Sequence, residues 1–359
     1  MTDVVTEVRG KTGLITLNRP KALNALSLGM VRQLAGALLA WRDDPAIAAV
    51  AIRGQGRDGP FGNFSAGGDI RFFHQAALAG DPQLEDFFTE EYELNFIVDT
   101  FPKPYVSFLD GIVIGGGMGI AGHGRAGQRM RLVTGRTKMS MPETQIGLFP
   151  DVGGGYFLGR CPGRLGEYLS LTCNVIGGAQ AVAANLADAL VDSSQLPALW
   201  DALGGGGMPA FDKLLAGHRD AATGALFDHD RIDRCFSADT MPAIVAALAA
   251  DASPWATETL EAVRKRSALM QCVTLEQLRR GRTMALADVL RMERDMVRHC
   301  FHLRPGRDSE TIEGIRALAI DKDNRPDWKP TRVEDVDPRE VTAFFASPWP
   351  AHAHPLRFL

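Results

Sequence analysis

Two short β-prone runs, 4–8 and 14–17, flank Arg9-Gly10-Lys11-Thr12-Gly13 and predict a hairpin that Asn18-Arg19-Pro20 brings to an end. Ser27 has the form of an N-cap. Met30, Val31, Leu34, Leu38 and Trp41 then recur at helical spacing, so an amphipathic helix is expected up to Asp43-Asp44-Pro45. An alanine- and valine-rich run over 46–52 reads as a buried strand, followed by a glycine loop over 54–62 and by Phe64-Ser65-Ala66-Gly67-Gly68-Asp69-Ile70. A helix is predicted over 84–99 and strands over 105–109, 130–134 and 139–140, with a second glycine cluster, Gly115-Gly116-Gly117, after the first of these strands. Strands alternating with helices make this half an α/β pattern. From residue 165 onward the strand pattern disappears, and helices are predicted over 165–171, 179–190, 260–270, 275–280, 284–300 and 309–320. The four glycines 204–207 read as a flexible junction, and 321–359 as an irregular, proline-rich ending.

Composition narrows the class without choosing a function. A chain of 359 residues, 45% hydrophobic, can bury a large core as one domain or two. The net charge of −4 gives no reason to expect nucleic acid or an anionic membrane as partner. Residues 1–7 lack the basic and apolar parts of a secretion signal, and no run of 18 apolar residues suggests a membrane span. The five cysteines are scattered and form no Cys-x-x-Cys pair, so neither a disulfide framework nor a zinc site is indicated. The expectation is a cytoplasmic chain.

Candidate chemistry concentrates in residues 141–156. There Glu143 and Asp151 sit among Met141, Ile146, Leu148, Phe149 and Val152, with Pro142, Gly147 and Pro150 opposing helix. Carboxylates in apolar company have their ionisation retuned, which acid–base and nucleophilic chemistry require. The plain alternative is that both acids cap helices or pair with arginines. The glycine clusters lack the pattern of a phosphate-binding loop, but glycine also lets backbone N–H groups approach a ligand, and two converging N–H groups make an oxyanion hole.

Four segments in order carry a resemblance: residues 18–26, then Ser65-Ala66-Gly67-Gly68-Asp69-Ile70, then Lys103-Pro104 with Asp110-Gly111 and Gly115-Gly116-Gly117, then Met141-Pro142-Glu143. Together they resemble the crotonase (enoyl-CoA hydratase/isomerase) superfamily. The resemblance implies an α/β fold of repeated ββα units, with an acyl-CoA-binding core over 1–200 and a helical C-terminal region over 208–359. It implies an acyl-CoA substrate, no cofactor other than the CoA the substrate carries, and a possible homo-oligomer. It also implies an oxyanion hole with the N–H groups of Gly68 and Gly116 as donors, and substrate contacts from Lys21, Ala66, Gly67, Asp69 and Ile70. Hydratases of the superfamily use two glutamates. One matches Glu143; the position of the other is Gly119 here. Asp151 stands where hydratases usually carry glycine.

The run from Glu143 to Tyr156 closely resembles the 3-hydroxyisobutyryl-CoA hydrolase subgroup. So do Glu90-Glu91-Tyr92, Cys235-Phe236-Ser237-Ala238, Met292-Glu293, Glu313-Gly314-Ile315-Arg316-Ala317 and Ile320-Asp321-Lys322-Asp323. Residues 124–138 depart from it by a few extra positions, and 253–255 and 267–270 also diverge. The resemblance implies thioester hydrolysis of 3-hydroxyisobutyryl-CoA, a step of valine degradation. Glu143 would attack the carbonyl or activate water, Asp151 would accept a hydrogen bond from the 3-hydroxyl, and Glu91 would lie near the substrate. The rivals are a double-bond isomerase, a hydratase, and a non-catalytic acyl-CoA-binding protein.

Other polar residues carry less. His299 and His302 could share a helix face, but no further metal ligands are evident nearby. His352 and His354 are expected to be solvated, His123 to be packing, and Arg279, Arg280 and Arg282 to be surface. Arg19 and Lys21 either meet CoA phosphates or sit in a solvated loop.

Overall fold

A computed structural model describes residues 2–123, 129–219 and 226–359. The extra positions expected within 124–138 begin with 124–128, which lie outside the described residues. Two compact units alternate along the chain. The first comprises Met1–Gly68, Glu93–Ser140 and Val175–Phe227; the second comprises Asp69–Tyr92, Met141–Asn174 and Asp228–Leu359.

The first unit is built on strands. β1 (Val4–Arg9) and β2 (Thr12–Leu17) form the predicted antiparallel hairpin, Val4 opposite Leu17. β3 (Ala49–Gly54), β4 (Tyr105–Leu109), β5 (Ile112–Ile114), β6 (Arg129–Val133), β7 (Lys138–Ser140) and β8 (Ala189–Leu190) follow. The main sheet runs β1-β2-β3-β4-β6-β8, parallel beyond the hairpin, and β5 pairs in parallel with β7. A strand–strand–helix succession recurs: β1 and β2 lead to the helix Leu28–Arg42, capped by Ser27, and β4 and β5 lead to the helix Gly116–Ala121. β3 and β4 read as near-continuous apolar runs because both sheet faces are covered. Leu14, Ala51, Val106, Phe108, Leu132, Leu199, Trp200 and Phe211 form one buried cluster, with Trp200 edge-on to Phe108.

Two expectations fail in this unit. Residues 179–190 are not one helix: Gly178–Ala183 is helical, Asn185 takes a left-handed conformation at φ 60°, and 189–190 pair with β6 as a strand. Burial against the sheet outweighs helix propensity there. The glycines 204–207 are not a loop, because they lie inside the helical stretch Leu196–Ala216. Two helical runs meet at Gly207, whose φ of 65° suits glycine, while Gly204 lets the stretch approach Arg9 closely.

The second unit is helical, with Ile70–Ala79, Leu165–Thr172, His229–Phe236, Met241–Ala250, Pro254–Arg264, Ala268–Gly281, Leu286–His302 and Glu310–Ile315. The helix expected over 260–270 breaks before Ser267. That side chain caps the next helix, accepting from the Met270 N–H at 3.1 Å, while its hydroxyl donates to buried Glu310. Residues 321–359 are largely irregular, with one short α-helix, Pro338–Ala343, and the 3-10 turns Val333–Asp335 and Ala351–Ala353. Among the described residues no helix is long and apolar enough to cross a membrane.

Candidate active site

The first unit carries Lys21, Ala66, Gly67, Gly68 and Gly116, and the second carries Asp69, Ile70, Glu91, Glu143 and Asp151. In the first unit the segment ending at Gly68 runs parallel to β5. The Phe64 N–H donates to Asp110 O, Ser65 N–H to Ile112 O, and Ile114 N–H to Ser65 O, each at 3.0 Å. Both segments then enter glycine turns side by side. The Ser65 hydroxyl ties the first turn, accepting from the Gly67 N–H at 3.2 Å and donating to Asn24 O at 2.9 Å. Asn24 in turn donates to Asn63 O at 2.7 Å and accepts from the Arg19 N–H at 2.8 Å, which gives the 18–26 segment a structural task. Gly116 opens a helix, where N–H groups have no intrahelical acceptor.

Gly67 sits at φ 85°, and a Cβ there would lie 2.9 Å from Ile114 O and 3.1 Å from Gly116 N. The two turns are therefore in contact through bare backbone. Gly67→Ala is expected to destabilise the protein by about 1–3 kcal/mol, since it combines a disfavoured φ with a backbone clash. Urea unfolding checks this, and an unchanged midpoint would contradict the close approach.

The second unit gathers acids. Glu143 begins the 3-10 turn Glu143–Ile146, and Asp151 lies in the turn before the short helix Gly154–Phe157. Both are held by turns in a packed setting, and each is only 5% exposed. The helix Gln83–Asp99 supplies Glu91 and Tyr92, both buried, and the Tyr92 hydroxyl donates to Asp151 Oδ2 at 2.9 Å. Glu91 Oε1 and Glu143 Oε2 are buried with no hydrogen-bond partner among the described residues. A packed protein seldom leaves such acceptors unpaired without a ligand or a chemical role.

Burial raises the pKa values of this cluster and so disfavours its ionised forms. Glu143 titrates well above the ordinary carboxylate range, first from burial and then from the charges of Asp151, Glu91 and Glu293. Glu91 is raised in the same way by burial and by Asp151. Asp151 is raised by burial to about 7, against the lowering effect of the Tyr92 hydroxyl. Groups raised in the folded state stabilise it fully below their unfolded values, 3.8 for Asp151 and 4.5 for Glu143. That contribution is lost as pH rises through the folded values. The melting temperature of the ligand-free protein is therefore expected to fall as pH rises from about 5 to about 7, the interval between the unfolded values and the folded value of Asp151. Scanning calorimetry of wild type beside Glu143→Gln checks it, and the variant should show the shallower decline.

Two buried residues of this cluster escaped sequence reasoning as site residues: Glu293, noted only within a family-like segment, and Gln277. Glu293 occupies the apolar stripe of Leu286–His302, with Leu286, Val289, Leu290, Met296, Val297 and Cys300. An acid at such a position is the signal that could have found it. Gln277 sits likewise among the buried residues of Ala268–Gly281.

The residues given lesser roles fall elsewhere. Lys21 is exposed in the turn Pro20–Ala22. Arg19 donates to Ala25 O at 2.8 Å and lies 3.8 Å from Asp3. His123 is buried, and burial with Arg131 and Arg129 nearby pushes its pKa well down. His299 meets Ala346 O and His302 meets Glu85. His354, expected in solvent, is instead buried beside Asp295 at 3.3 Å, because residues 350–359 fold back over the helix Leu286–His302. Arg282 reaches buried Glu167 at 2.7 Å, so that end of the arginine cluster braces the unit.

The enoyl-CoA hydratase/isomerase family profile matches residues 12–345. The mitochondrial 3-hydroxyisobutyryl-CoA hydrolase of Gallus gallus is 41% identical over 353 residues, spanning 96% of this chain and 88% of that protein. A carnitinyl-CoA dehydratase from Mycobacterium thermoresistibile superposes with a TM-score of 0.89 at 38% identity, covering 98% of each chain. An enoyl-CoA hydratase from Rhodobacter sphaeroides 2.4.1 superposes with a TM-score of 0.85 at 37% identity, covering 97% of this chain and 98% of that one. These names divide between thioester hydrolysis and chemistry at a carbon–carbon double bond. Fold similarity alone does not choose between them, and the side chains must.

Proposed function

We infer that this chain, which belongs to the enoyl-CoA hydratase/isomerase family, hydrolyses the thioester of a short 3-hydroxyacyl-CoA, 3-hydroxyisobutyryl-CoA before others. The observation that carries this reading is the buried carboxyl cluster of Glu143, Asp151 and Glu91, combined with Gly119 where a hydratase of the resemblance carries its second acid. Hydration needs one group to deliver water and another to protonate carbon. Thioester hydrolysis needs one reactive carboxylate and stabilisation of a developing oxyanion. The similarity to the Gallus gallus hydrolase points the same way.

In the proposed mechanism the N–H groups of Gly68 and Gly116 take the thioester carbonyl oxygen. Glu143 delivers the oxygen nucleophile to the carbonyl carbon. By direct attack, the C–S bond breaks, CoA leaves as thiolate and a mixed anhydride remains for water to open. By general base catalysis, Glu143 takes a proton from water and the tetrahedral adduct expels the thiolate. Both routes give CoA thiol and the free 3-hydroxy acid. Single turnover in ¹⁸O-water separates them, because only the anhydride route can leave label in the Glu143 carboxyl. Asp151, held by Tyr92, accepts a hydrogen bond from the 3-hydroxyl, and Glu91 lines the acyl end. Lys21 meets CoA phosphate, and Ala66, Gly67, Asp69 and Ile70 line the CoA path. No cofactor beyond substrate CoA takes part. A homo-oligomer and a cytoplasmic location complete the proposal; light scattering and cell fractionation test them, the latter because the Gallus gallus relative is named as mitochondrial.

The deciding assay supplies 3-hydroxyisobutyryl-CoA and follows free thiol beside enoyl absorbance. Thiol release supports the hydrolase. An absorbance change alone would support the isomerase or hydratase reading, which the names of the two solved relatives favour. Silence with retained CoA binding would mean a non-catalytic binder.

A further inference from the structure

The turn that carries Asp151 is not a relaxed one. Val152, β-branched and 1% exposed, lies at φ 54°, and Gly153 follows at φ 89°. A β-branched residue in the left-handed region is a real outlier, and it persists only where its surroundings over-determine it. Two fully buried side chains do so. The Glu293 carboxylate accepts from the Gly153 N–H at 2.7 Å and from the Gly155 N–H at 2.9 Å. The Gln277 amide donates to Pro150 O at 2.6 Å and to Glu293 Oε1 at 2.9 Å. Both Gln277 contacts are acceptors, so its NH₂ must face them. The clamp thus grips the chain on each side of Asp151, at Pro150 and at Gly153 and Gly155.

We propose that Glu293 and Gln277 are positioning residues that hold the Asp151 turn in its strained conformation and so aim the Asp151 carboxyl. Their importance for catalysis rests on the hydrolase reading above. Glu293 is a positioning residue and not a reacting one because its oxygens are already engaged: Oε2 by Gly153, Oε1 by Gly155 and Gln277. It is fully buried and three N–H donors already take up most of its acceptor capacity. Glu143 Oε2, by contrast, has no partner among the described residues. The helices Leu286–His302 and Ala268–Gly281 supply one clamp residue each, so rigid elements fix the turn. Preorganisation of this kind sets how selectively a site reads a substrate hydroxyl, because a carboxyl displaced by about 1 Å forms a poor hydrogen bond.

The test uses the full chain as wild type, Glu293→Ala, Glu293→Gln and Gln277→Ala. Two readouts are taken: kcat/KM on 3-hydroxyisobutyryl-CoA against isobutyryl-CoA, and hydrogen exchange of the amides in 150–156. In Glu293→Ala the preference for the hydroxylated substrate is expected to fall by about 30-fold, with exchange of the 150–156 amides accelerated at least about tenfold. Glu293→Gln keeps one acceptor oxygen and should recover part of both; Gln277→Ala should show a smaller loss of both. An unchanged preference with unchanged exchange overturns the proposal. So does an equal loss on both substrates without partial recovery in Glu293→Gln, since that marks a general packing defect. If wild type releases no thiol, the hydrolase reading fails, but accelerated exchange in Glu293→Ala would still support the clamp. If Glu293→Ala does not fold, Glu293→Gln and Gln277→Ala decide, with unaltered preference and exchange in both counting against the clamp.

Discussion

Glu143→Gln is expected to reduce thiol release from 3-hydroxyisobutyryl-CoA by at least about 10³-fold while leaving the Kd for CoA within about threefold of wild type. The amide has nearly the same size and shape, so the 3-10 turn at Glu143–Ile146 keeps its packing. What disappears is the only chemistry the reading assigns to this position, because a neutral amide neither attacks a thioester nor takes a proton from water. Stability should move the other way. Glu143 is buried among other acids and titrates well above the ordinary range, so at neutral and alkaline pH its ionisation opposes folding. The variant should therefore melt at the same or a higher temperature at pH 8. Loss of activity with retained CoA affinity and no loss of stability separates a chemical role from a structural one. Turnover within tenfold of wild type would remove Glu143 from the mechanism.

The second large effect is expected at Asp151. Asp151→Asn should lower kcat/KM for 3-hydroxyisobutyryl-CoA by about 10²-fold and for isobutyryl-CoA by only a few-fold. A hydrogen bond to a charged acceptor contributes about 1.5–3 kcal/mol, roughly 10- to 150-fold. The substituted amide must also accept from the Tyr92 hydroxyl, which now donates to Asp151 Oδ2 at 2.9 Å. Its remaining group is then an N–H donor facing the substrate hydroxyl. That hydroxyl can still accept, so the loss is large but not complete. Steady-state kinetics on the two substrates in parallel decide the matter. Equal loss on both would place Asp151 at the carbonyl and not at the hydroxyl.

The two halves of the chain were legible to different depths. In the first unit, the hairpin, the Ser27 cap and the Tyr105–Leu109 strand follow from local rules, because periodicity and turn residues there agree with the fold. The failures occur where tertiary burial overrides propensity. Residues 189–190 become an edge strand because Arg131 and Asp188 tie that segment to β6, with the Arg131 Nε 2.9 Å from Asp188 Oδ2. Of the glycines 204–207, Gly204 lies within a helix packed closely against Arg9, while Gly207 at φ 65° separates two helical runs.

The sequence by itself determined that two acids stand in apolar company at 143 and 151, that glycines follow two strands, and that position 119 has no side chain. These are facts about residue type and order, and with the family pattern they suffice to name the kind of reaction. Only the tertiary structure decided that Tyr92 meets Asp151 and that Glu293 holds the turn after it. Tyr92 and Glu293 lie 59 and 142 positions away in the chain, and nothing local links them to residue 151. Burial then decided the charge state. The same carboxyl titrates near 4 in water and about 7 when the fold withdraws solvent from Asp151. A sequence states which acids are present; the packing around them sets where their protons are held.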